Sequence, residues 1–436
     1  MTETNVAVMA ALCTVTQNLP IGTNLAVVHF LWMLLSGHLL NSRGALFPAL
    51  QAIGLPKTAI RRAWAAFRFG SWQIGAMLIL WQEYVKGQPH WHVHRYEGYT
   101  PKAVDITAYW RPALKGCTSK HYHPQAGKAL QAVEVGLIGQ IGSVGNQRVT
   151  VLTDLVRGDL ADASSASFQT RLVNRAAQTL VADEIAIFDA GFEVREVQAA
   201  GVARFIVRGA KNLVARRNTL PSYQGRGRRP AYGEKVRPLA RQYKDRIIAA
   251  TPPDAVETWC DDGRCYRAEH WHNLVCTDTK VSEGNSVFHV AVIHDPRFKN
   301  PWVLVSSLKL SGITLWHLYC DRWPIEQVPL VAKQMLGGVR QFVWSSESCQ
   351  RLPELNLFAS EILTYLAATL PAAPTGFWDR NPKPTAGRLR RVLGRTPFPN
   401  TWPLPGRFRK KASVKDHLPK GVLGHRRQKR AKTAWP

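Results

Sequence analysis

The 436-residue sequence predicts an α/β protein of several domains. Three observations lead to this fold class. Apolar residues recur at helical spacing between residues 20 and 85, strand-like runs begin near residue 103, and a stretch rich in Gly, Arg and Pro interrupts them after residue 220. The predicted domains are a helical domain (1–98), an α/β core in two parts (99–200 and 301–370), a β-rich insertion (201–300) and a basic tail (371–436).

The helical domain contains a pattern that is typical of a helix-turn-helix. Gly44 to Ile53 predicts one helix, Gly54-Leu55-Pro56 a sharp turn, and Lys57 to Phe67 a second helix. The second helix would expose three cations, Lys57, Arg61 and Arg62. Such a helix suits DNA reading. An ordinary helical hairpin with solvated charges gives the same pattern, because glycine between two helices is common in bundles.

The first part of the core shows the order strand, strand, strand, helix, strand. These elements are predicted at Ala103–Trp110, Ala132–Ile141, Arg148–Val156, Ser164–Leu180 and Glu184–Phe188. The core then resumes with a strand at Trp302–Ser306 and a helix that begins near Ile313. By analogy, this order predicts a ribonuclease-H-like core, which many metal-dependent nucleases use.

The charge of the chain predicts an anionic partner. The 57 Lys and Arg residues outnumber the 30 Asp and Glu residues, for a formal net charge of +27, which repels itself without such a partner. Residues 204–246 carry 13 Lys and Arg against two acids, and residues 388–432 carry 15 against one. Beyond Pro371 the hydrophobic periodicity is lost, so we expect much of the tail to be disordered without its partner.

Membrane insertion and secretion are not expected. The longest apolar runs, Leu25–Leu35 and Ile74–Trp81, are too short to cross a hydrocarbon core. The N-terminus lacks the basic start of a secretion signal. We therefore expect a cytoplasmic protein, nucleoid-associated in a bacterial host, with its seven cysteines reduced.

The most informative segment is Tyr-Cys-Asp-Arg-Trp-Pro-Ile-Glu at residues 319–326, with Lys333 further on. On one continuous helix, residues 319, 322, 326 and 333 would lie within roughly 60° of one another. A phenol, a guanidinium, a carboxylate and an ammonium would then share one face. This combination suits phosphodiester chemistry, because the carboxylate ligates a hard divalent ion while the cations neutralise phosphate.

A simpler interpretation of the same face is a solvated surface with an ordinary i,i+4 ion pair between Arg322 and Glu326. Two prolines also complicate a continuous helix, because Pro324 and Pro329 each remove a helical hydrogen bond. Pro324 would be tolerated as the first residue of a new helix.

The segment resembles the signature of the insertion-sequence-4 type transposases. Four polar residues match its spacing Tyr-x2-Arg-x3-Glu-x6-Lys, namely Tyr319, Arg322, Glu326 and Lys333. Trp323 and Ile325 complete the Arg-Trp-x-Ile-Glu pattern that is common in the family. The resemblance covers roughly residues 100–345. It implies a cut-and-paste DNA transposase of the three-carboxylate (DDE) type.

The resemblance also implies two upstream aspartates. The second is expected at a strand end before a Gly-aromatic pair, where Asp189 fits better than Asp183, which precedes the strand. The first is expected on the opening strand, where Asp105 fits, with Asp154 on the third strand as the alternative. Many relatives carry another acid directly after the first aspartate, but this chain has Ile106.

These assignments imply a complete set of functional groups. Asp105, Asp189 and Glu326 would hold two Mg²⁺ ions, for which Mn²⁺ would substitute, and Tyr319, Arg322 and Lys333 would bind DNA phosphates. The implied activity is cleavage at transposon ends and strand transfer into target DNA, by a homodimer on paired double-stranded ends. Two alternatives stay open: a catalytically silent, transposase-derived DNA-binding protein, and a related nuclease or junction resolvase without joining activity.

Overall fold

The fold is α/β, as the sequence predicts, and its centre is a mixed sheet of 13 strands in the described part of the chain. A computed structural model describes residues 3–20, 22–162, 165–223, 225, 227–244 and 246–399. Most of the predicted basic tail, from residue 400 onward, lies outside these residues, as does Ser164, the predicted first residue of a helix.

The N-terminal segment is helical through Lys86, as the sequence predicts, and is followed by the short strand β1 (Trp91–Val93). Its helices are α1 (Glu3–Thr16), α2 (Val27–Leu35), α3 (His38–Asn41), α4 (Leu46–Ala52), α5 (Lys57–Phe69) and α6 (Ile74–Lys86). The two predicted helices on either side of Gly54 are thus confirmed as α4 and α5. Helix α5 buries an apolar stripe that includes Ile60 and Phe67 and leaves its three predicted cations exposed. No helix of the described residues has the length and apolar character needed to span a membrane.

The first part of the core forms the three predicted strands with longer bounds, the predicted helix with slightly shorter bounds and the predicted strand Glu184–Phe188 unchanged, together with four elements that were not predicted. In chain order the elements are β1 (Trp91–Val93), β2 (Thr100–Trp110), β3 (Lys120–His123), β4 (Lys128–Val144), β5 (Gln147–Arg157), α7 (Ser165–Thr179), β6 (Glu184–Phe188), α8 (Val194–Ala199) and β7 (Phe205–Gly209), of which β1, β3, α8 and β7 were not predicted. Strand β4 runs antiparallel to both β2 and β5, whereas β6 runs parallel to both β2 and β7. The central part of the sheet therefore has the order β5-β4-β2-β6-β7.

The β-rich insertion extends this sheet. Its strands are β8 (Ala215–Arg217), β9 (Lys235–Val236), β10 (Arg241–Tyr243), β11 (Arg246–Ile248), β12 (Ala255–Asp261), β13 (Arg264–Val275) and β14 (Phe288–His294), and β15 (Trp302–Ser306) follows. Strand β15 pairs with β7 on one side and with β14 on the other. The insertion is therefore joined to the core through backbone hydrogen bonds, a long-range pairing that no local pattern indicates.

The segment with the Tyr-Arg-Glu-Lys spacing is not one continuous helix, which corrects the geometry expected from the sequence. Helix α9 (Gly312–Cys320) ends before Asp321, and α10 (Trp323–Leu330) begins with Pro324 in its first turn. A π-helical turn at Val331–Met335 follows Pro329, which has no amide hydrogen to donate. The four polar residues of the motif are consequently distributed over three consecutive elements.

Two hydrophobic cores cover the two faces of the central sheet. One core joins the N-terminal helices, α11 (Ser346–Thr369) and the face of β4 that carries Leu137. The other joins α7, α8 and the opposite face, which carries Ile138. A third cluster packs α9 against β13, β14 and β15. Helix α11 is buried along most of its 24 residues because it lies between the helical domain and the sheet.

The tail contains regular structure that the sequence analysis did not assign. Residues Ala386–Leu393 form helix α12, which packs on α11 and buries Leu389 and Leu393. Phe398 then packs against His29 and Trp32 of α2. An eight-residue helix contains too few apolar residues to give a clear helical periodicity in a segment rich in proline and arginine. Short helices depend on tertiary packing, which α12 obtains from its contact with α11.

One buried acid in α11 leads to a testable prediction about stability. Glu361 Oε1 accepts hydrogen bonds from Trp81 Nε1 (2.9 Å) and from the Leu152 amide (2.6 Å), while burial raises the pKa of this carboxyl well above its usual range. The stabilising contribution of the protonated acid is complete below about pH 4 and is lost as the pH rises. Glu361→Gln keeps an accepting oxygen without a charge.

We therefore expect Glu361→Gln to gain stability relative to the wild type as the pH rises from 5 to 8. Urea unfolding at both pH values measures this difference, with Glu83→Gln, an exposed residue of α6, as the control. An equal loss of stability at both pH values would contradict the prediction.

Candidate active site

Two parallel strands bring Asp105 and Asp189 to the same part of the sheet. Val104 of β2 lies opposite Phe188 of β6 in the parallel register, and each aspartate directly follows one of these residues. Because the strands run in the same direction, the two carboxylates leave adjacent strands at the same level. Asp105 and Asp189 are 84 residues apart in the sequence, so only the pairing of the two strands brings them together.

The alternation of side chains along the strands separates Asp105 from Asp154. Asp105 lies opposite Leu137, which belongs to the core beside α11, and Asp154 lies opposite Ile138, which belongs to the core beside α7. Asp154 therefore projects from the other face of the sheet, where its carboxylate pairs with Arg175 of α7. The other alternative, Asp183, pairs with Arg95 at the surface.

Arg322 connects the two strands to α10. Its Nη2 donates to Glu326 Oε1 and lies 3.8 Å from Asp189 Oδ1. Only 5 % of the Arg322 side chain is exposed, whereas Asp189 and Glu326 keep about two fifths of their side chains exposed (41 % and 43 %). The guanidinium is thus held inside the protein, and the two carboxylates face the solvent beside it.

The pKa of Asp105 reflects the same neighbourhood. The pKa of this carboxyl is raised to about 6, mainly by burial and in smaller part by the nearby charges of Glu326 and Asp189. The Arg322 guanidinium and the Ile106 amide act in the opposite direction. Three carboxylates and one guanidinium therefore share a single electrostatic environment, and the sequence-predicted Asp105, Asp189 and Glu326 are brought together.

Arg322 has unused hydrogen-bonding capacity. Among the described residues, neither its Nε nor its Nη1 has a hydrogen-bond partner, although both atoms are buried. Buried donors are rarely left unpaired, because desolvation without a partner costs roughly 1–3 kcal/mol per group. Two unpaired donors on a cation beside exposed carboxylates are of the kind that binds an anionic oxygen such as that of a phosphate. Both atoms are closed to solvent in this conformation, so a ligand would reach them only after the side chain moves.

Tyr319 supports this guanidinium from within the protein. The side chain is fully buried, and the Arg322 guanidinium carbon lies 5.6 Å from the centre of its ring. The phenol accepts a hydrogen bond from Arg208 Nη1 (3.5 Å), and burial raises its pKa despite the nearby guanidinium groups of Arg322 and Arg208. In this conformation the hydroxyl has no exposed surface for a phosphate, so its observed contacts position Arg322.

Lys333 approaches the site from the π-helical turn. Its ammonium lies 5.3 Å from the ring centre of Tyr109 and 5.1 Å from that of Trp110, both near the end of β2. Burial lowers the pKa of this ammonium to about 8, and the carboxylate of Asp105 opposes that shift. The side chain is therefore mostly charged at neutral pH and lies near enough to Asp105 to interact with it. π-Helical turns frequently occur at functional sites.

The chemistry of the carboxylates fits a hard divalent cation, because oxygen donors are the ligands that Mg²⁺ prefers. Their positions, however, do not form a ready coordination shell. Within the described ranges, no group of three or more His, Cys, Asp or Glu side chains is placed to hold a metal ion together. The ion pair between Glu326 and Arg322 is one reason that the three carboxylates do not form a coordination shell, because it directs the Glu326 carboxylate toward a cation of the protein.

Asp321, which the sequence analysis missed, anchors the junction between α9 and α10. The side chain is fully buried, and its Oδ2 accepts hydrogen bonds from His94 (2.6 Å) and from the Tyr96 hydroxyl (3.0 Å). Arg148 Nε lies 3.3 Å from Oδ1. Tyr96 also stacks on His317 of α9, with ring centres 5.2 Å apart. The segment before β2 therefore fixes the backbone directly before Arg322.

The sequence contains a partial signal for this cluster. Asp321 lies inside the Tyr-x2-Arg spacing, and His94 lies in a run of alternating histidines, but only the fold brings them into contact. Neither a scan against protein-family models nor a search of curated proteins gives a match for this chain. The geometry of the site and the motif that its residues form are therefore the observations that bear on the function of the protein.

Proposed function

We propose that the protein is a DDE-type DNA transposase, which cleaves transposon ends and joins them to target DNA. The observation that carries this proposal is the meeting of Asp105, Asp189 and Glu326 with one nearly buried guanidinium, that of Arg322, at neighbouring parallel strands. The resemblance of residues 319–333 to the insertion-sequence-4 type signature supports the same class.

The topology supports a ribonuclease-H-like core as part of this proposal. Five strands have the order β5-β4-β2-β6-β7, and only β4 runs against the other four. Helices follow β5 and β6, and the chain then leaves for the insertion. We place the catalytic carboxylates on β2, at the end of β6 and on α10, so that three separate parts of the chain contribute to one site.

We assign Mg²⁺, with Mn²⁺ as a substitute, to Asp105, Asp189 and Glu326. Two such ions, when bound, lower the pKa of an attacking water or 3′-hydroxyl and neutralise the leaving oxygen. For Glu326 to contribute, its carboxylate must leave Arg322. A DNA phosphate that accepts hydrogen bonds from Arg322 would replace the carboxylate as the partner of the guanidinium, because phosphate oxygens are strong acceptors for that fork.

The remaining side chains act on the DNA backbone in this proposal. Arg322 would donate from Nε and Nη1, which are buried and unpaired among the described residues, once DNA binding displaces the side chain, and Lys333 adds a second positive charge beside Asp105. Tyr319, fully buried in the DNA-free protein, holds the guanidinium in place. Both cations would stabilise the negative charge that develops on the scissile phosphate, which is the main contribution a protein makes to phosphoryl transfer.

The N-terminal helices are proposed to bind the ends of the element. Helix α5 exposes Lys57, Arg61 and Arg62, and Arg351 of α11 fixes its C-terminal end through the carbonyls of Phe67 (2.8 Å) and Gly70 (2.7 Å). Helix α5 is thereby attached to α11, which packs on the sheet that carries Asp105. Paired ends, and hence a homodimer on double-stranded DNA, belong to this proposal through the family resemblance.

We expect the triple variant Lys57→Ala, Arg61→Ala, Arg62→Ala to bind terminal-repeat DNA more weakly and with a flatter salt dependence. Each cation that contacts a phosphate contributes a slope of about −0.9 to the dependence of log K on log salt concentration, so the slope should change by about 2 to 3. Fluorescence anisotropy measures both effects when the salt concentration is varied from about 50 to about 300 mM, a range that brackets the physiological ionic strength of about 150 mM. Lys115, Lys280 and Lys383, also exposed, provide a matched triple control.

The proposed function is tested by incubating the full-length protein with DNA that carries the inverted repeats flanking its gene. We expect Mg²⁺-dependent cleavage at the repeat ends, joined products with a target plasmid, and no reaction with a chelator present. Cleavage without joined products would support the nuclease or resolvase instead. Binding to the repeats without cleavage would support the silent DNA-binding protein, an outcome that the Arg322–Glu326 pair and the absence of an acid at Ile106 would then explain.

A further inference from the structure

The tip of the β12–β13 hairpin carries two cysteines directly opposite one another. Cys260 and Cys265 are paired in the antiparallel register, next to the terminal pair Asp261 and Arg264. The turn residues Asp262 and Gly263 have φ values of 47° and 71°, which a two-residue type I′ turn requires. A tight turn of this kind fixes the register of the hairpin, so the two cysteines have a defined relationship.

The position in the ladder determines how close the two thiols are. Residues that flank a two-residue turn form a hydrogen-bonded pair, and the next pair, Cys260 and Cys265, is therefore of the non-hydrogen-bonded kind. In such pairs the Cα atoms are roughly 4.5 Å apart and the side chains project from the same face. A disulfide spans Cα separations of about 4.4–6.8 Å. The Cys265 thiol also raises the pKa of Cys260 through a hydrogen bond, as expected for sulfurs in contact.

These two cysteines are the exposed ones of the seven in the chain, all of which lie among the described residues. Cys117, Cys320 and Cys349 are buried, and Cys13 and Cys276 are half-buried. A reagent in solution therefore reaches the hairpin thiols before the others. Burial raises the pKa of each of those other five thiols, and the hydrogen bond with Cys265 raises that of Cys260, so solvent exposure is the property that distinguishes the hairpin thiols.

The opposite face of the hairpin supports helix α9. Trp259 and Tyr266 stack with ring centres 5.3 Å apart, and Tyr266 lies 4.9 Å from the ring of Trp316 in α9. Glu257 Oε2 accepts a hydrogen bond from the Gly312 amide (2.6 Å) at the start of the same helix. A covalent link between Cys260 and Cys265 would therefore join the two strands on which α9 rests, without entering that interface.

We propose that Cys260 and Cys265 form a dithiol site that reacts with small-molecule disulfides of the glutathione type and closes a cross-strand disulfide. One cysteine thiolate attacks a sulfur of the small disulfide, which forms a mixed disulfide and releases one small thiol. The other cysteine loses its proton, attacks the protein sulfur of that mixed disulfide and releases the second small thiol. The protein loses two hydrogen atoms, and the small disulfide is reduced to two thiols.

The test uses native full-length protein, oxidised glutathione and intact-mass spectrometry, followed by peptide mapping without reduction. The wild type should lose the mass of two hydrogens, retain no glutathione, and yield one linked peptide pair that contains Cys260 and Cys265. Cys260→Ser and Cys265→Ser should each retain one glutathione, because the second displacement is then impossible. Cys276→Ser, a substitution outside the hairpin, should behave as the wild type.

Several results would overturn the proposal. Wild-type protein that retains glutathione on both hairpin cysteines would show that the thiols do not meet. Absence of any mass change under conditions that oxidise a free dithiol peptide, or a disulfide that maps to other cysteines, would exclude the site. Both substituted side chains are exposed, so we expect the variants to fold normally, and circular dichroism checks this. Peptide mapping of the oxidised wild type tests the proposal without any variant.

Discussion

Glu326→Gln is expected to abolish DNA cleavage and to leave DNA binding intact or slightly stronger. The amide keeps the size of the side chain but removes a charged metal ligand, and we expect at least a 1,000-fold loss of cleavage, which corresponds to roughly 4 kcal/mol of transition-state stabilisation. The Arg322 guanidinium loses its carboxylate partner in this variant, so its attraction for a phosphate does not decrease.

Cleavage rates on terminal-repeat DNA and anisotropy binding curves with the same DNA measure the two effects. Glu83→Gln, which alters an exposed acid of α6, serves as the control and should match the wild type in both assays. Cleavage by Glu326→Gln at near wild-type rates would remove Glu326 from the catalytic set. A parallel loss of binding and cleavage would instead indicate that the ion pair with Arg322 has a structural role.

Asp105→Asn is expected to abolish cleavage and, in metal-free buffer at neutral pH, to stabilise the protein. The pKa of Asp105 is raised to about 6 in the folded protein by burial above all. An acid whose pKa is raised on folding stabilises the protein fully only below its unfolded pKa of about 4, and this contribution is lost as the pH rises through about 6. At pH 7 the ionised carboxylate therefore costs stability, and an uncharged amide does not.

The expected gain is roughly 1 to 2 kcal/mol, less than the full pKa shift implies because the side chain is only partly buried. Thermal unfolding with and without Mg²⁺ measures it, and it also reports metal binding without reference to activity. Mg²⁺ should raise the Tm of the wild type and have little effect on Asp105→Asn. Destabilisation of Asp105→Asn in metal-free buffer would contradict the electrostatic argument.

Asp154→Asn distinguishes the two candidates for the first aspartate. Asp154 projects from the sheet face covered by α7 and pairs there with Arg175. We therefore expect this variant to cleave DNA and to respond to Mg²⁺ as the wild type does. If Asp154→Asn loses cleavage while Asp105→Asn retains it, the assignment of the two residues must be exchanged.

The amino-acid sequence by itself determined the local elements of this protein. The glycine and proline of the turn between α4 and α5, the strand-like runs of β2 and β5, and the apolar run of β6 that ends before Asp189 all predicted structure near the observed positions. These features depend on backbone preferences and on side-chain periods within a few residues, which a sequence displays directly. The spacing from Tyr319 to Lys333 also lies within one short segment, so the sequence displays it directly.

Only the tertiary structure decided how these elements meet. The parallel register of β2 and β6 places Asp105 beside Asp189. The expected continuous helix is divided at Asp321. His94, which is 227 residues before Asp321 in the sequence, contacts its buried carboxylate. The pairing of β15 with β7 joins the insertion to the core, and the contact with α11 orders α12. Each of these outcomes depends on hydrogen bonds and burial between distant segments, whose free energy is gained only when the whole chain has folded.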